Sequence, residues 1–352
     1  MLRGGVPSAP IGKAKPRAVA AWLLSVAALV FVMIVVGGIT RLTESGLSMV
    51  DWRPVTGLLP PLSDEAWRAM FEAYKASPQY RIVNQGMSLD DFRTIFWWEY
   101  IHRLLGRVIG LAYALPLAVF WLRRRIPRGY KPRLLGLLVL GALQGGLGWF
   151  MVRSGLVDVP EVSHLRLTAH LTLAFAIFAL LVWTALDLMA RRSGGKDQVL
   201  RGLSQAVVGL VFLQVILGGL VAGLRAGHIY NTWPLMDGGF LPDLAFAMQP
   251  WWRNIIDNAA LVQFNHRMGA YLLLMAAVLL FLRSMRRRVA APDRLGAVLL
   301  LVVLLAQAVI GIATLLASVP IGLGALHQAG GAMALFMAVL VAHGHRKDHH
   351  AA

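Results

Sequence analysis

No cysteine occurs among the 352 residues, so neither disulfides nor thiolate chemistry is available to the chain. Charge is scarce as well. Asp, Glu, Lys and Arg make up only 14% of the sequence, and the acidic residues number 17 against 34 Lys and Arg. A soluble nucleic-acid-binding protein with a net charge of +17 would gather its basic residues in solvated stripes or tails. Here they bracket long apolar runs, and hydrophobic residues reach 58%, against ~45–50% in soluble domains. This pattern excludes nucleic acid as a partner and makes membrane lipid the solvent.

Eight runs each approach the ~20 residues needed to cross a ~30 Å hydrocarbon core. They cover about Ala18–Ile39, Ile95–Leu122, Leu134–Val152, Leu167–Ala190, Leu203–Leu224, Asn258–Leu282, Leu295–Ala317 and Ile321–His343. The first is too long for a cleaved signal, and no small-residue cleavage site follows it. With the N-terminus in the cytoplasm, the inner segments are residues 1–17, the linkers 123–133, 191–201 and 283–294, and the C-terminal tail. Together with Asp187 at the inner end of the fourth span, these segments hold 21 of the 34 basic residues and four acidic ones, the others being Asp197, Asp293 and Asp348. The outer side is left with 13 residues of each sign, so the whole net charge lies on one face, as the positive-inside rule requires. Both termini are therefore expected in the cytoplasm of a bacterial plasma membrane or an organellar inner membrane. The short basic N-terminus does not resemble a long Arg/Ser-rich transit peptide, which favours the bacterial membrane. The large outer loops face the oxidising side and must be ordered without crosslinks.

The chain also repeats internally. At an offset of 181, Gly37-Gly38 matches Gly218-Gly219, Gly46 matches Gly227, Trp52 matches Trp233, Gly57 matches Gly238, and Pro61 matches Pro242. At an offset of 164, His102-Arg103 falls on His266-Arg267; further on, Gln144, Gly148 and His170 pair with Gln307, Gly311 and His327. Four spans per half put both halves in one orientation. The expected fold is thus all-α and integral to the membrane, two tandem four-helix bundles related by a pseudo-twofold along the membrane normal. The halves are residues 18–190, with a large outer loop 40–94, and 203–343. A linker at 191–202 joins them, and 344–352 form a cytoplasmic tail.

The outer loops carry structure of their own. Trp67, Met70, Phe71 and Tyr74 recur at helical spacing within Ser63–Ala76, an amphipathic helix that could cap the bundle. Ser88-Leu-Asp-Asp91 reads as a variant capping box opening the second span. Tyr230, Trp233, Trp251 and Trp252 in the second-half loop suit interfacial anchoring.

Ten histidines are present, and four of them, His102, His170, His266 and His327, lie one to two turns (~8–13 Å) inside the outer ends of the even-numbered spans. A single intramembrane histidine commonly just bonds a neighbouring helix. Four at one depth, twice over, point to function, because polar groups in lipid are costly. A haem iron accepts two axial imidazoles from facing helices, so one bis-histidine haem per half accounts for number, depth and pairing. Zinc or copper would need further Cys, Met or carboxylate ligands nearby, and the sequence has no such cluster. Arg103, Arg107, Arg166 and Arg267 lie at the same end and suit haem propionates, although arginines there can also snorkel. Glu99, one turn before His102, breaks the symmetry, since its counterpart is Gln263. Left unpaired, it could exchange protons or stabilise transient positive charge; the competing reading is an ion pair with Arg103 or another nearby arginine. The asymmetry assigns chemistry to the first haem site and a permanent cofactor to the second. His164 and His228 read as ordinary loop residues, and His343, His345, His349 and His350 as a solvated tail.

The segments GGITRLTESGLSMVDWRP (Gly37–Pro54), EYIHRLLGR (Glu99–Arg107), RLTAHL (Arg166–Leu171), QFNHRMGAY (Gln263–Tyr271) and LHQ (Leu326–Gln328) resemble the haem A synthase family. The likeness is closest to the form of alphaproteobacteria and mitochondria, and it spans residues 20 to 343. It implies oxidation of the C8 methyl of haem O to a formyl by two successive hydroxylations, giving haem A for cytochrome oxidase. It further implies that His102 and His170 flank the substrate haem, that His266 and His327 ligate a haem b cofactor, and that Glu99 is the acidic residue beside the substrate. Haem O synthase and oxidase assembly factors are the implied partners, along with an electron donor that the sequence does not identify; a homo-oligomer is compatible. Some members carry a cysteine pair in an outer loop; this chain has none, so electrons cannot pass through such a pair here. The competing functions are a di-haem cytochrome b-type electron carrier, a haem transporter or assembly chaperone, and, least favoured, a secondary transporter without haem.

Overall fold

The structure is a computed structural model that describes residues 14–50, 59–155, 162–189, 197–286 and 289–346. Trp52, Gly57, most of the linker 191–201 and the tail residues His349 and His350 lie outside the described residues. Among the described residues eleven α-helices follow in chain order: α1 Pro16–Leu42, α2 Asp64–Lys75, α3 Pro78–Ile82, α4 Leu89–Leu122, α5 Lys131–Gly155, α6 His164–Leu188, α7 Gln198–Gly223, α8 Arg253–Ile256, α9 Ala259–Ser284, α10 Ala291–Leu316 and α11 Ile321–Gly344. Among the described residues, eight of them (α1, α4, α5, α6, α7, α9, α10 and α11) are long and apolar enough to cross a membrane. These match the eight expected spans, with ends shifted by a few residues.

Local signals set where the helices begin. Pro16 opens α1, where its missing N–H costs nothing. Asp197 caps α7 by accepting from the amides of Val199 and Leu200. Asn258 caps α9 in the same way through Ala260 and Leu261. The Ser88–Asp91 capping box is formed, and it starts α4 six residues before the apolar run begins. At ~1.5 Å per residue, the 34 residues of α4 overshoot the hydrocarbon core. The projecting turns are covered by the amphipathic α2, which begins at the Ser63 cap. Trp67, Phe71 and Tyr74 of α2 pack against Phe92, Phe96 and Tyr100 of α4. Burial pushes the Tyr74 phenol above its usual range, against the donation it accepts from Asn84. Tyr74 in turn bonds Gln79, whose amide donates to the Glu44 carbonyl at 2.8 Å. The outer loop is therefore tied to the end of α1.

At the centre of the bundle, α1 and α6 of the first half meet α7 and α11 of the second. The other spans pack outside them: α4 on α1, α5 on α6, α9 on α7 and α10 on α11. Small residues let the central helices approach, as in other membrane bundles. A Cβ on Gly38 would stand 2.6 Å from Gln328 of α11. Cβ atoms on Gly219 and Gly223 of α7 would stand 3.0 Å from Thr168 and 2.5 Å from His164 of α6.

The expected solvated tail is corrected at its first two histidines. The last helix continues to Gly344, and His343 and His345 are 0% and 1% exposed. His343 Nε2 lies 2.9 Å from Asp187 Oδ1, and Arg346 donates to its Nδ1 at 2.7 Å. An Nδ1 that accepts leaves the proton on Nε2, so this imidazole is the donor to Asp187. The other oxygen of Asp187 accepts from Arg133 at 2.6 Å. Partners on α5, α6 and the chain after α11 thus satisfy His343 and draw it out of solvent. His164 likewise is no plain loop residue, because it starts α6 and pairs with Asp257 at 3.0 Å.

Candidate functional site: two histidine-paired cavities

Each of the four membrane histidines rests on a glycine of the preceding span. A Cβ on Gly37 would lie 3.3 Å from the His102 ring, and one on Gly148 3.0 Å from His170. The matching distances are 3.3 Å from Gly218 to His266 and 2.7 Å from Gly311 to His327. A Cβ would press its ring aside by a few tenths of an ångström at Gly37, Gly148 and Gly218, and would force a larger shift at Gly311. One turn before three of these glycines stands a glutamine on the same helix face. Gln144 donates to the His170 carbonyl at 3.1 Å, Gln214 to that of His266 at 3.1 Å, and Gln307 to that of His327 at 2.7 Å. Before Gly37 the corresponding residue is Met33; His102 instead has Thr40 Oγ1 3.4 Å from its Nδ1. The Gln-x3-Gly spacing was visible in the sequence. Gln144, Gly148, Gln307 and Gly311 stand in the repeat and Gln214 lies outside it, its counterpart being Met33; the spacing alone does not disclose the bond to the histidine carbonyl.

The histidines line two cavities in pairs. His102 and His170 face a cavity of about 150 Å³, with Met33, Gly37, Thr40 and Gln144 in its wall. His266 and His327 face a larger one of about 370 Å³, walled by Gln214, Gly218, Gln307 and Gly311. The ring centres of His266 and His327 are 6.3 Å apart. Two imidazoles on one metal at bond lengths of about 2 Å require roughly that separation. Nδ1 of His170, His266 and His327 is buried without a hydrogen-bond partner among the described residues, a costly condition for a polar atom. The donor set, two imidazoles with apolar walls, fits a haem. Among the described residues, no group of three or more His, Cys, Asp or Glu could hold a metal ion.

Glu99 is not an unpaired carboxylate. One oxygen accepts from Arg103, one turn later, and the other from the Ser48 hydroxyl at 2.7 Å and the Met49 amide at 2.8 Å. It is 2% exposed and holds the 3-10 turn Ser45–Leu47 and its exit against α4. Gly46 and Leu47 of that segment wall the first cavity, whereas Glu99 itself is not among the lining residues. Gln263 performs the related task in the second half. It donates to the carbonyls of Ala226 and Ile229 and accepts from Arg267 at 2.8 Å. The ion pair with Arg103 is formed within α4 itself, at i and i+4, and the chain after α1 folds back over α4 to add Ser48 and Met49.

The four arginines expected at propionates divide. Arg267 lines the second cavity and also donates to the carbonyls of Tyr230 and Leu235. Arg103 donates to Glu99 and the Met49 carbonyl. Arg166 lies over the Phe150 ring and donates to its carbonyl. Arg103, Arg107 and Arg166 are not among the residues lining either cavity; Arg41 and Arg225, which sequence reasoning passed over, line both. His228 and Trp233 also reach the wall of the second cavity.

Comparison with known proteins finds relatives along most of the chain. Residues 20–340 match the model of the COX15-CtaA family, described as cytochrome oxidase assembly protein. The chain is 55% identical to a heme A synthase of Parvibaculum lavamentivorans over 95% of both chains. It is 52% identical to one from Nitrosospira multiformis over 92% of both chains. With one from Rhodopseudomonas palustris it shares 52% identity over 92% of this chain and 90% of that protein. By the extent of these matches, the chain belongs to the COX15-CtaA family of cytochrome oxidase assembly proteins.

Proposed function

We propose that the chain is a haem A synthase, a multi-pass membrane oxidoreductase that converts haem O to haem A by oxidising the C8 methyl group. The names of its relatives support the activity, and the family description supports a role in cytochrome oxidase assembly. The observation that carries the reading is an inequality between two similarly built cavities. Both histidines of the second are clamped through their carbonyls by glutamines. In the first, Met33 stands where a clamp on His102 would be, and the carboxylate Glu99 replaces Gln263. A firmly held pair suits a resident cofactor, and a pair with one looser member suits a substrate that must leave.

In this reading His102 and His170 flank the substrate haem in the N-terminal half, residues 18–190, and His266 and His327 ligate haem b in the C-terminal half, residues 203–343. Haem b would supply a one-electron redox centre. The glycine seats and glutamine clamps fix the imidazoles. Glu99 holds a negative charge behind the turn that walls the substrate cavity, where it favours positive charge developing on the substrate. Arg267 takes a propionate of haem b.

The positive-inside count supports cytoplasmic termini in a bacterial plasma membrane, with the histidines towards the outer side. The matched glycine seats support a pseudo-twofold between halves along the membrane normal. Haem O synthase, oxidase assembly factors and an electron donor are the partners this activity calls for.

Pigment analysis of protein purified from a host that makes haem O tests the function. Haem b together with haem O, a hydroxylated form or haem A is the expected result. Two haem b per chain and no other haem would make the protein an electron carrier. Haem O bound and never altered, with an electron donor and oxygen supplied, would make it a carrier or chaperone.

A further inference from the structure

The two cavities share a wall. Arg41, Glu44, Ala222, Arg225 and Gln328 line both, so the partition draws on both halves of the chain. Arg41, in the last turn of α1, reaches across and donates to the carbonyls of Ala222 and Gly223 at 2.9 and 3.4 Å. Arg225, just past the end of α7, reaches back to Glu44 at 2.9 Å. Glu44 and Arg225 precede the 3-10 turns Ser45–Leu47 and Ala226–His228, and both are left-handed, with φ of 54° and 52°. Residues with a Cβ enter that region at a cost, and such costs gather at functional sites. The partition lies at the outer ends of α1 and α7, the end of the membrane at which all four histidines sit.

Each haem brings two carboxylates on one edge, and a partly dry site must meet them with cations. Apart from histidine, Arg41 and Arg225 are the only cations lining the first cavity among the described residues. Arg103 is bonded to Glu99 instead. In the second cavity Arg41 and Arg225 join Arg267.

We propose that Arg41 and Arg225 form one propionate-binding partition that serves both haem sites, with Glu44 positioning Arg225. This rests on the two-haem reading above. It makes the partition the place where the acidic edges of substrate and cofactor meet, so that each haem orders the cations the other uses.

The test uses full-length protein with Arg41→Gln, Arg225→Gln, Glu44→Gln and the charge-keeping Arg41→Lys and Arg225→Lys. The haem b midpoint potential is read by spectroelectrochemistry, and the haem b and haem O content per chain by extraction. Loss of a cation beside haem b disfavours its reduced form. Each Arg→Gln variant should therefore lower the potential and also reduce the haem O retained. Glu44→Gln, which takes from Arg225 its positioning partner, should reduce the haem O retained, and the lysine variants should stay near wild type. Unmoved potentials in Arg→Gln variants that still hold haem b would overturn the proposal, as would effects confined to one of the two haems. Equal loss of haem b from lysine and glutamine variants would mean a structural role and would also overturn it. Wild-type protein without haem b would instead overturn the two-haem reading, and the partition with it.

Discussion

Arg103 donates to Glu99 across one helical turn, and Arg267 makes the equivalent bond to Gln263. The guanidinium is kept while its acceptor changes from carboxylate to amide, so this corner of the fold does not require a carboxylate; only the first site carries one.

Glu99→Gln should accordingly fold and keep haem b, though it weakens the bonds from Ser48 and Met49 by about 1 kcal/mol. Conversion of haem O should fall by about 100-fold, at the lower end of what a positioned ionisable group contributes. Single-turnover conversion followed by chromatography of extracted haems gives the number. Wild-type conversion would remove Glu99 from the chemistry.

The two histidine pairs should separate by pigment. His266→Ala is expected to lose haem b, whereas His102→Ala should keep haem b and lose bound haem O or haem A. Undiminished haem b in His266→Ala would reverse the assignment of the halves.

Gly311→Ala would set a Cβ 2.7 Å from the His327 ring. The ring must shift, and haem b occupancy should drop at least several-fold. Gly209→Ala on α7 meets nothing within 4 Å; it should keep its haem and gain up to about 1 kcal/mol from helix propensity. Equal haem b in both variants would argue against the glycine seat.

Asp197 caps α7 and pairs with Arg283 at 2.8 Å. Burial works against its charged form, but the amides of Leu200 and Val199 and the Arg283 guanidinium outweigh it and hold the carboxyl below the usual range. A carboxyl depressed by folding adds stability above its unfolded pKa of ~3.9. That stability is lost as pH falls through the lower folded value. Asp197→Asn should preserve the cap and flatten this acid limb, while Asp197→Ala should cost a further ~1 kcal/mol. Thermal melts in detergent from about pH 3 to pH 7 would show both; an unchanged acid limb in Asp197→Asn would rule out the linkage.

What the sequence revealed was what one helix or one repeat can encode. The spans, the Ser88 capping box, the amphipathic α2 and the four histidines are periodic or local signals, and all were legible. The pairing of Glu99 was not decidable, because its partners Ser48 and Met49 lie on a segment whose return path depends on tertiary packing. The burial of His343 depends on Asp187, 156 residues away. Arg41 and Arg225 escaped notice for a related reason. They stand at the ends of their spans without periodicity, and only the packing of α1 and α7 against α6 and α11 puts both between the cavities.

The pair Glu44–Arg225 has a further consequence. Its members stand 181 residues apart, the offset of the repeat itself. Were two identical halves to meet about a twofold, a residue near the axis would face its own copy. Glutamate would then oppose glutamate, or arginine arginine, and such juxtapositions are repulsive. Attraction at this spot requires that the two positions differ in sign, as Glu44 and Arg225 do.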